Sequence, residues 1–194
     1  MASWVQAHYV EVLGVVFSVL YLLLSIRQNI LLWPAGMISA LLYMAVFFQS
    51  KFYADMGLNA YYFFISIYGW VVWRKGGDGK KEKPVSRIRR KPALLLLAVT
   101  AVAFLGIAFL LKNYTDSPIP YWDALTTAMS FTATWMLARK ILEHWIVWII
   151  VDVISMALYL YRGLYPTMIL FAIYTVMAVI GYIEWKKAQI PAET

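Results

Sequence analysis

Slid along itself by 112 residues without a gap, the chain meets its own residues again. Arg27 falls on Arg139, Trp33 on Trp145, Met44-Ala45 on Met156-Ala157, Tyr53 on Tyr165, Tyr62 on Tyr174, Gly69 on Gly181 and Trp73 on Trp185. Leu58 and Ala60 meet Leu170 and Ala172, and Arg74-Lys75 meets Lys186-Lys187. Coincidences concentrated in Trp, Gly and Tyr, holding one register across two polar connections, are not what composition alone produces. The fold must therefore build one unit twice.

What that unit is made of follows from the solvent it needs. Of the residues, 63% are hydrophobic and only 14% charged, the composition of a chain that lives in a bilayer. Seven apolar segments are long enough, or nearly so, to cross one: Val10–Ile26, Leu31–Phe48, Met56–Trp73, Ala93–Leu111, Trp122–Leu137, Trp145–Tyr161 and Tyr165–Trp185. With no water in the hydrocarbon to satisfy stray backbone groups, the reading is an all-α integral membrane protein. The first three-helix repeat occupies residues 10–73, a basic linker 74–92, a lone linker helix 93–111, and the second three-helix repeat 122–185. Three crossings alone would leave the second repeat upside down. The extra helix restores its direction, so this 3+1+3 order predicts two parallel repeats, a plan suited to a transporter with its site near the midplane.

The basic residues set the orientation. With the N-terminus outside, the outer loops hold Lys51, Lys112 and Arg162, and the inner side holds the other fourteen of the seventeen Lys and Arg. That asymmetry predicts N-terminus out and C-terminus cytoplasmic. Nine of the fourteen lie between Arg74 and Lys91, so the net charge of +7 is a local feature of a solvated inner loop in contact with anionic lipid rather than a nucleic-acid surface. The N-terminus lacks the basic region and small-residue cleavage site of a signal peptide, and the first segment reads as mature structure.

One residue is out of place. Asp152 lies about 10 Å along the sixth segment from Trp145, in a run otherwise fit only for lipid or a buried core. A carboxylate at that depth costs about 3 kcal/mol to insert, so it needs a partner, a cavity or a ligand. Trp145, Trp148 and Asp152 share one helix face at spacings of three and four. Two indole faces and an anion in line can cradle a flat organic cation. The competing reading pairs Asp152 with a neighbouring Arg or hydroxyl and leaves Trp145 at the membrane interface. The repeat places Ala40 opposite Asp152, so the acid belongs to the second half alone. On the third segment Asn59, Tyr62 and Ser66 share a face with Asp55, itself placed as an end cap, and Tyr43 and Ser39 on the second segment can face the same space. Asp123 reads as the cap of the fifth segment, whose Thr127, Ser130 and Thr134 form a close-packing stripe. Trp33, Trp73 and Trp185, at inner helix ends, read as interfacial belt, and Glu11, Glu143 and Glu184 as helix-end residues without a special role.

Absences narrow the chemistry. No cysteine excludes disulfides and thiolate metal sites; His8 and His144 cannot build a zinc site, and no P-loop or Gly-x-Ser-x-Gly motif occurs. One deep acid without a second acid or nucleophile argues against an intramembrane enzyme, and no cofactor is expected.

Tyr53-Ala54-Asp55-Met56-Gly57-Leu58-Asn59, Ser66-Ile67-Tyr68-Gly69-Trp70, Trp145-x-x-Trp148-x-x-x-Asp152 and Tyr161-Arg162-Gly163-Leu164-Tyr165 resemble the Pnu family of bacterial vitamin transporters, typified by the PnuC nicotinamide riboside transporters. The likeness runs from about Val10 to Lys187. It implies a seven-helix fold related to the SWEET sugar transporters, in the bacterial cytoplasmic membrane. It also implies homotrimers, and facilitated diffusion of a vitamin that phosphorylation then traps inside. Family substrates include nicotinamide riboside and thiamine, both with a cationic aromatic ring, and riboflavin. Many nicotinamide riboside members carry Gln where this chain has Asn59, which keeps thiamine open beside the riboside. A binding subunit that needs an energising partner is the further alternative.

Overall fold

The computed structural model describes residues 9–49, 53–76, 83–115 and 117–189. Among them the chain forms seven helices: α1 Tyr9–Ile26, α2 Leu32–Gln49, α3 Tyr53–Lys75, α4 Arg90–Tyr114, α5 Pro120–Ala138, α6 His144–Tyr161 and α7 Tyr165–Lys187. The Ser50-Lys51 connection and residues 77–82 of the basic segment lie outside the described residues, as do the side chains of Glu11 and Asp55, so the cap expected at Asp55 is not described. Every expected apolar segment is a helix, but several run past the apolar stretch. α4 takes in Arg90, Lys91 and Lys112, whose long stems let a charged head reach away from an apolar helix end. α5 starts early on Pro120, and α7 starts at Tyr165 as expected with Pro166 in its first turn, because a first-turn proline has no N–H that the helix would leave unbonded. α2, α4, α6 and α7 are long and apolar enough to cross a membrane by composition alone. On α4, Leu94, Leu95, Leu97, Val102 and Leu105 stay largely exposed, a surface suited to lipid.

Three helices close in the same way. At the end of α1, Gln28 N–H bonds Ser25 C=O and Asn29 N–H bonds Leu24 C=O, with Gln28 left-handed at φ 54°. At the end of α5, Lys140 bonds Leu137 and Ile141 bonds Leu137's neighbour Met136, with Lys140 again at φ 54°. α6 closes likewise at Gly163, φ 70°. This is the Schellman closure, which satisfies orphan carbonyls at the helix end. Gln28 and Lys140 are 112 residues apart, so the sequence repeat extends to backbone geometry. Gln28 holds a conformation that favours glycine. Gln28→Gly should raise unfolding stability by about 1 kcal/mol, read as a higher midpoint in thermal unfolding of detergent-solubilised protein.

The chain divides into two compact units, residues 1–83 and 84–194. In the first, α2 packs against α1 and α3; in the second, α4 packs on α5, α5 on α6 and α6 on α7. Each unit is wedged by the same three residues. In the first, the Trp33 ring covers Gly69 so closely that a Cβ there would collide with it, and Trp33 meets Trp73 edge-on at 5.5 Å. In the second, Trp145 covers Gly181, where a Cβ would come within 2.5 Å, and meets Trp185 edge-on at 6.0 Å. Only glycine lets an indole lie flat on a neighbouring helix. Trp33, Trp73 and Trp185 are therefore core residues, 0%, 5% and 0% exposed, and not the interfacial belt their helix-end positions suggested. Helix-end position is shared by belt and wedge; the glycine facing each Trp across the next helix separates them.

Two further expectations change. Asp123 is not the cap of α5, which begins three residues earlier with Ile119 as its cap; its carboxylate instead accepts from Ser117 Oγ at 2.5 Å, tying down the preceding loop. The basic linker is not wholly a solvated loop. Val85 is buried, Ser86 forms an isolated parallel bridge with Ile141, and the Ile88 N–H donates to Glu143 Oε2 at 3.0 Å. Glu143 thus holds the linker strand at the start of α6, a role its helix-end position did not reveal. Arg87 continues the strap, donating to Gln189 Oε1 at 3.2 Å beyond the end of α7.

Candidate functional site

α6 is bracketed at its start by the Glu143 anchor and the Trp145 wedge, and at its end by the Gly163 closure. Between them its rotation is fixed, and with it the face bearing Asp152. That side chain is 5% exposed, about 12 Å into the helix from His144. Among the described residues none donates a hydrogen bond to its carboxylate or pairs with it as a cation. The reading in which an arginine or hydroxyl neutralises Asp152 does not hold there. An uncompensated carboxylate in such a place stays costly until a cation or donor arrives.

The three residues read as one cradle have different surroundings. Trp145 is 2% exposed and fully engaged by Gly181, Trp185 and His144, whose ring lies 4.6 Å away. Its faces are taken by packing, so within this unit it positions α6. Trp148, one turn deeper, is half-buried and keeps ring surface to offer. Asp152 lies one turn beyond, and Ser155, 8% exposed, one turn further on the same face. Ser155 was missed in the sequence; the signal was its spacing of three from Asp152.

The remaining candidates belong to the first unit. Asn59 and Tyr62 are half-buried on α3, with the Tyr61 and Tyr62 rings 5.8 Å apart. Ser66 is buried; it donates to the Tyr62 carbonyl at 2.6 Å and faces Gly36, where a Cβ would come within 3.1 Å of its Oγ. Tyr43 stacks on Phe47 at 5.8 Å and lies against Gly14 of α1. Ser39 is bonded to Ser18 at 2.7 Å. Tyr43, Ser39 and Ser66 thus help close their own bundle.

A cleft of about 360 Å³ opens on the opposite side of α6, lined by Ile119, Trp122, Ile154, Ala157, Leu158 and Tyr161. It presents no charged group and does not include the Asp152 face. Among the described residues no cluster of His, Asp and Glu could hold a metal.

Four helices long and apolar enough to cross a membrane, one of them carrying an unneutralised internal acid, fit the class of membrane proteins with a polar route or site, transporters among them. Comparison with known proteins identifies the class further. The model of the nicotinamide mononucleotide transporter family matches residues 8–187, and the chain belongs to that family, the Pnu transporters of PnuC type. It is 26% identical over 208 residues to the nicotinamide riboside transporter PnuC of Escherichia coli (strain K12), covering 94% of this chain and 85% of the relative. It is 25% identical over 180 residues to the riboflavin/roseoflavin transporter RibM of Streptomyces davaonensis, covering 90% and 83%. In fold it is similar to the crystal structure of the vitamin B3 transporter PnuC, with a TM-score of 0.74 and 23% identity over 96% of this chain and 84% of that one. These relatives carry molecules rather than transform them, and the chain is a multi-pass inner-membrane protein of the same kind.

Proposed function

We propose that this protein takes up a B-type vitamin or precursor with a cationic aromatic ring, nicotinamide riboside first. The observation that carries the reading is the buried Asp152 carboxylate without a counter-charge. A pyridinium ring supplies the missing positive charge, and the free surface of Trp148 supplies a face for it, an interaction of about 0.5–2 kcal/mol. Riboflavin, carried by one relative, is uncharged and leaves Asp152 uncompensated. Thiamine, whose thiazolium is also cationic, is the alternative; Asn59, with its short amide, is the residue that keeps it open. Asn59, Tyr62, Tyr43 and Ser66 are proposed contacts from the first unit, and Trp145 is proposed to act by holding Trp148 and Asp152 in place.

The 3+1+3 arrangement with SWEET-like parallel repeats is part of the same reading, supported by the turn and wedge that recur at a 112-residue offset. So are passive, gradient-driven passage with trapping by phosphorylation inside the cell, a homotrimeric assembly, and an N-terminus outside. The single deep acid gives little basis for coupling to an ion.

Uptake tests the function directly. In proteoliposomes containing this chain alone, labelled nicotinamide riboside is expected to equilibrate without an ion gradient and to be competed by excess cold substrate. Uptake of thiamine alone transfers the reading to the alternative. Uptake of neither, with binding intact, makes the chain a subunit that needs an energising partner.

A further inference from the structure

The α1–α2 seam of the first unit and the α5–α6 seam of the second are filled differently. In the first, the contacts follow one antiparallel register: Gly14 lies against Tyr43, Ser18 bonds Ser39 at 2.7 Å, and Tyr21 lies against Gly36. The positions 112 residues on are Thr126 with Ser155, Ser130 with Val151, and Ala133 with Trp148. Their equivalence rests on the matching helix closures and Trp–Gly–Trp wedges. At the Tyr21 level the large ring sits on the other helix of the pair: Tyr21 and Gly36 correspond to Ala133 and Trp148. At the Tyr43 level it has not been replaced. Where the first unit seats a phenol ring on glycine, the second has only Thr126 and Ser155.

Two small polar side chains thus stand where the first unit has a ring packed on glycine. The side chains around this place are polar. Ser155 retains 8% exposure and Asp152 5%, and among the described residues neither side chain has a hydrogen-bond partner. Ser130, at the level between, donates its hydroxyl hydrogen bond to the Thr126 carbonyl at 2.8 Å and keeps lone pairs that can accept.

We infer that Ser155, with Asp152 and Ser130, forms a niche for the hydroxyl-bearing arm of the ligand, at the place the first unit has closed with Tyr43. This rests on the transport reading above and adds a residue to it: Asp152 and Ser130 accept from the arm's hydroxyls, and Ser155 can donate or accept. Both candidate vitamins carry an alcohol beside a cationic ring, so the niche serves either.

Binding to the purified protein tests it, with nicotinamide riboside and thiamine as armed probes and 1-methylnicotinamide, a pyridinium cation without the arm, measured by competition. Ser155→Ala is expected to weaken the bound vitamin about five- to ten-fold, the loss of one or two hydrogen bonds, with the loss confined to the armed probe. Ser155→Tyr, which copies Tyr43, should abolish vitamin binding while the unfolding midpoint holds. An equal loss for armed and armless probes, or no loss with Ser155→Ala, overturns the niche and leaves the transport reading standing. If the unaltered protein binds neither vitamin, both fall together.

Discussion

Gly181→Val is expected to destabilise the protein by about 3 kcal/mol or more, the upper range for overpacking a close-packed interior, and to yield little folded material. The Trp145 indole lies where the new side chain would start, with a Cβ only 2.5 Å from the ring. The ring has no room to retreat, since Trp185 and His144 hold it on other sides. Gly69→Val should behave the same way against Trp33. Gly57 and Gly106 are internal controls: a Cβ at either meets nothing within 4 Å, so alanine there should stabilise by about 0.5–1 kcal/mol through helix propensity. Thermal unfolding of the four variants in one detergent reads the comparison. If the two pairs move together, the Trp–Gly contact does not fasten the units.

Asp152→Ala should have opposite effects on binding and on stability. Affinity for the cationic vitamin should fall about 100-fold, in keeping with truncating one partner of a buried charge pair. The ligand-free protein should become more stable by about 1–3 kcal/mol, because an uncompensated buried acid has been removed. Asp123→Ala should leave affinity within about two-fold, since that acid serves the Ser117 loop. Calorimetric titration and thermal unfolding without ligand are the two measurements. A less stable ligand-free Asp152→Ala protein would reveal a structural partner for the carboxylate and remove the argument for a cation.

Helix positions were legible because each apolar segment exceeds what a buried core strand needs and is bounded by charge or proline. The 112-residue repeat was legible for a sharper reason: Trp and Gly at fixed spacing encode a close contact, and the wedge is that contact. What could not be read was the partner across the seam. Trp33 at a helix end has the same sequence surroundings whether it faces headgroups or Gly69, and only the third helix decides. Glu143 looked like an ordinary helix-end acid because its partner is the backbone of Ile88, 55 residues away, and no side-chain pattern marks it. Asp152 was visible as an anomaly of composition. Ser155 was not, because serine in a membrane helix is common and the large Tyr43 at the equivalent position disguised the comparison.

The Trp wedge carries one more consequence. In both units the indole N–H of the covering residue, Trp33 and Trp145, is buried with no acceptor among the described residues. A feature that works well can arise twice because selection favours it each time. An imperfection has no such excuse, and finding the same unmet donor in both halves is what a single ancestral three-helix gene, duplicated and fused, would leave behind.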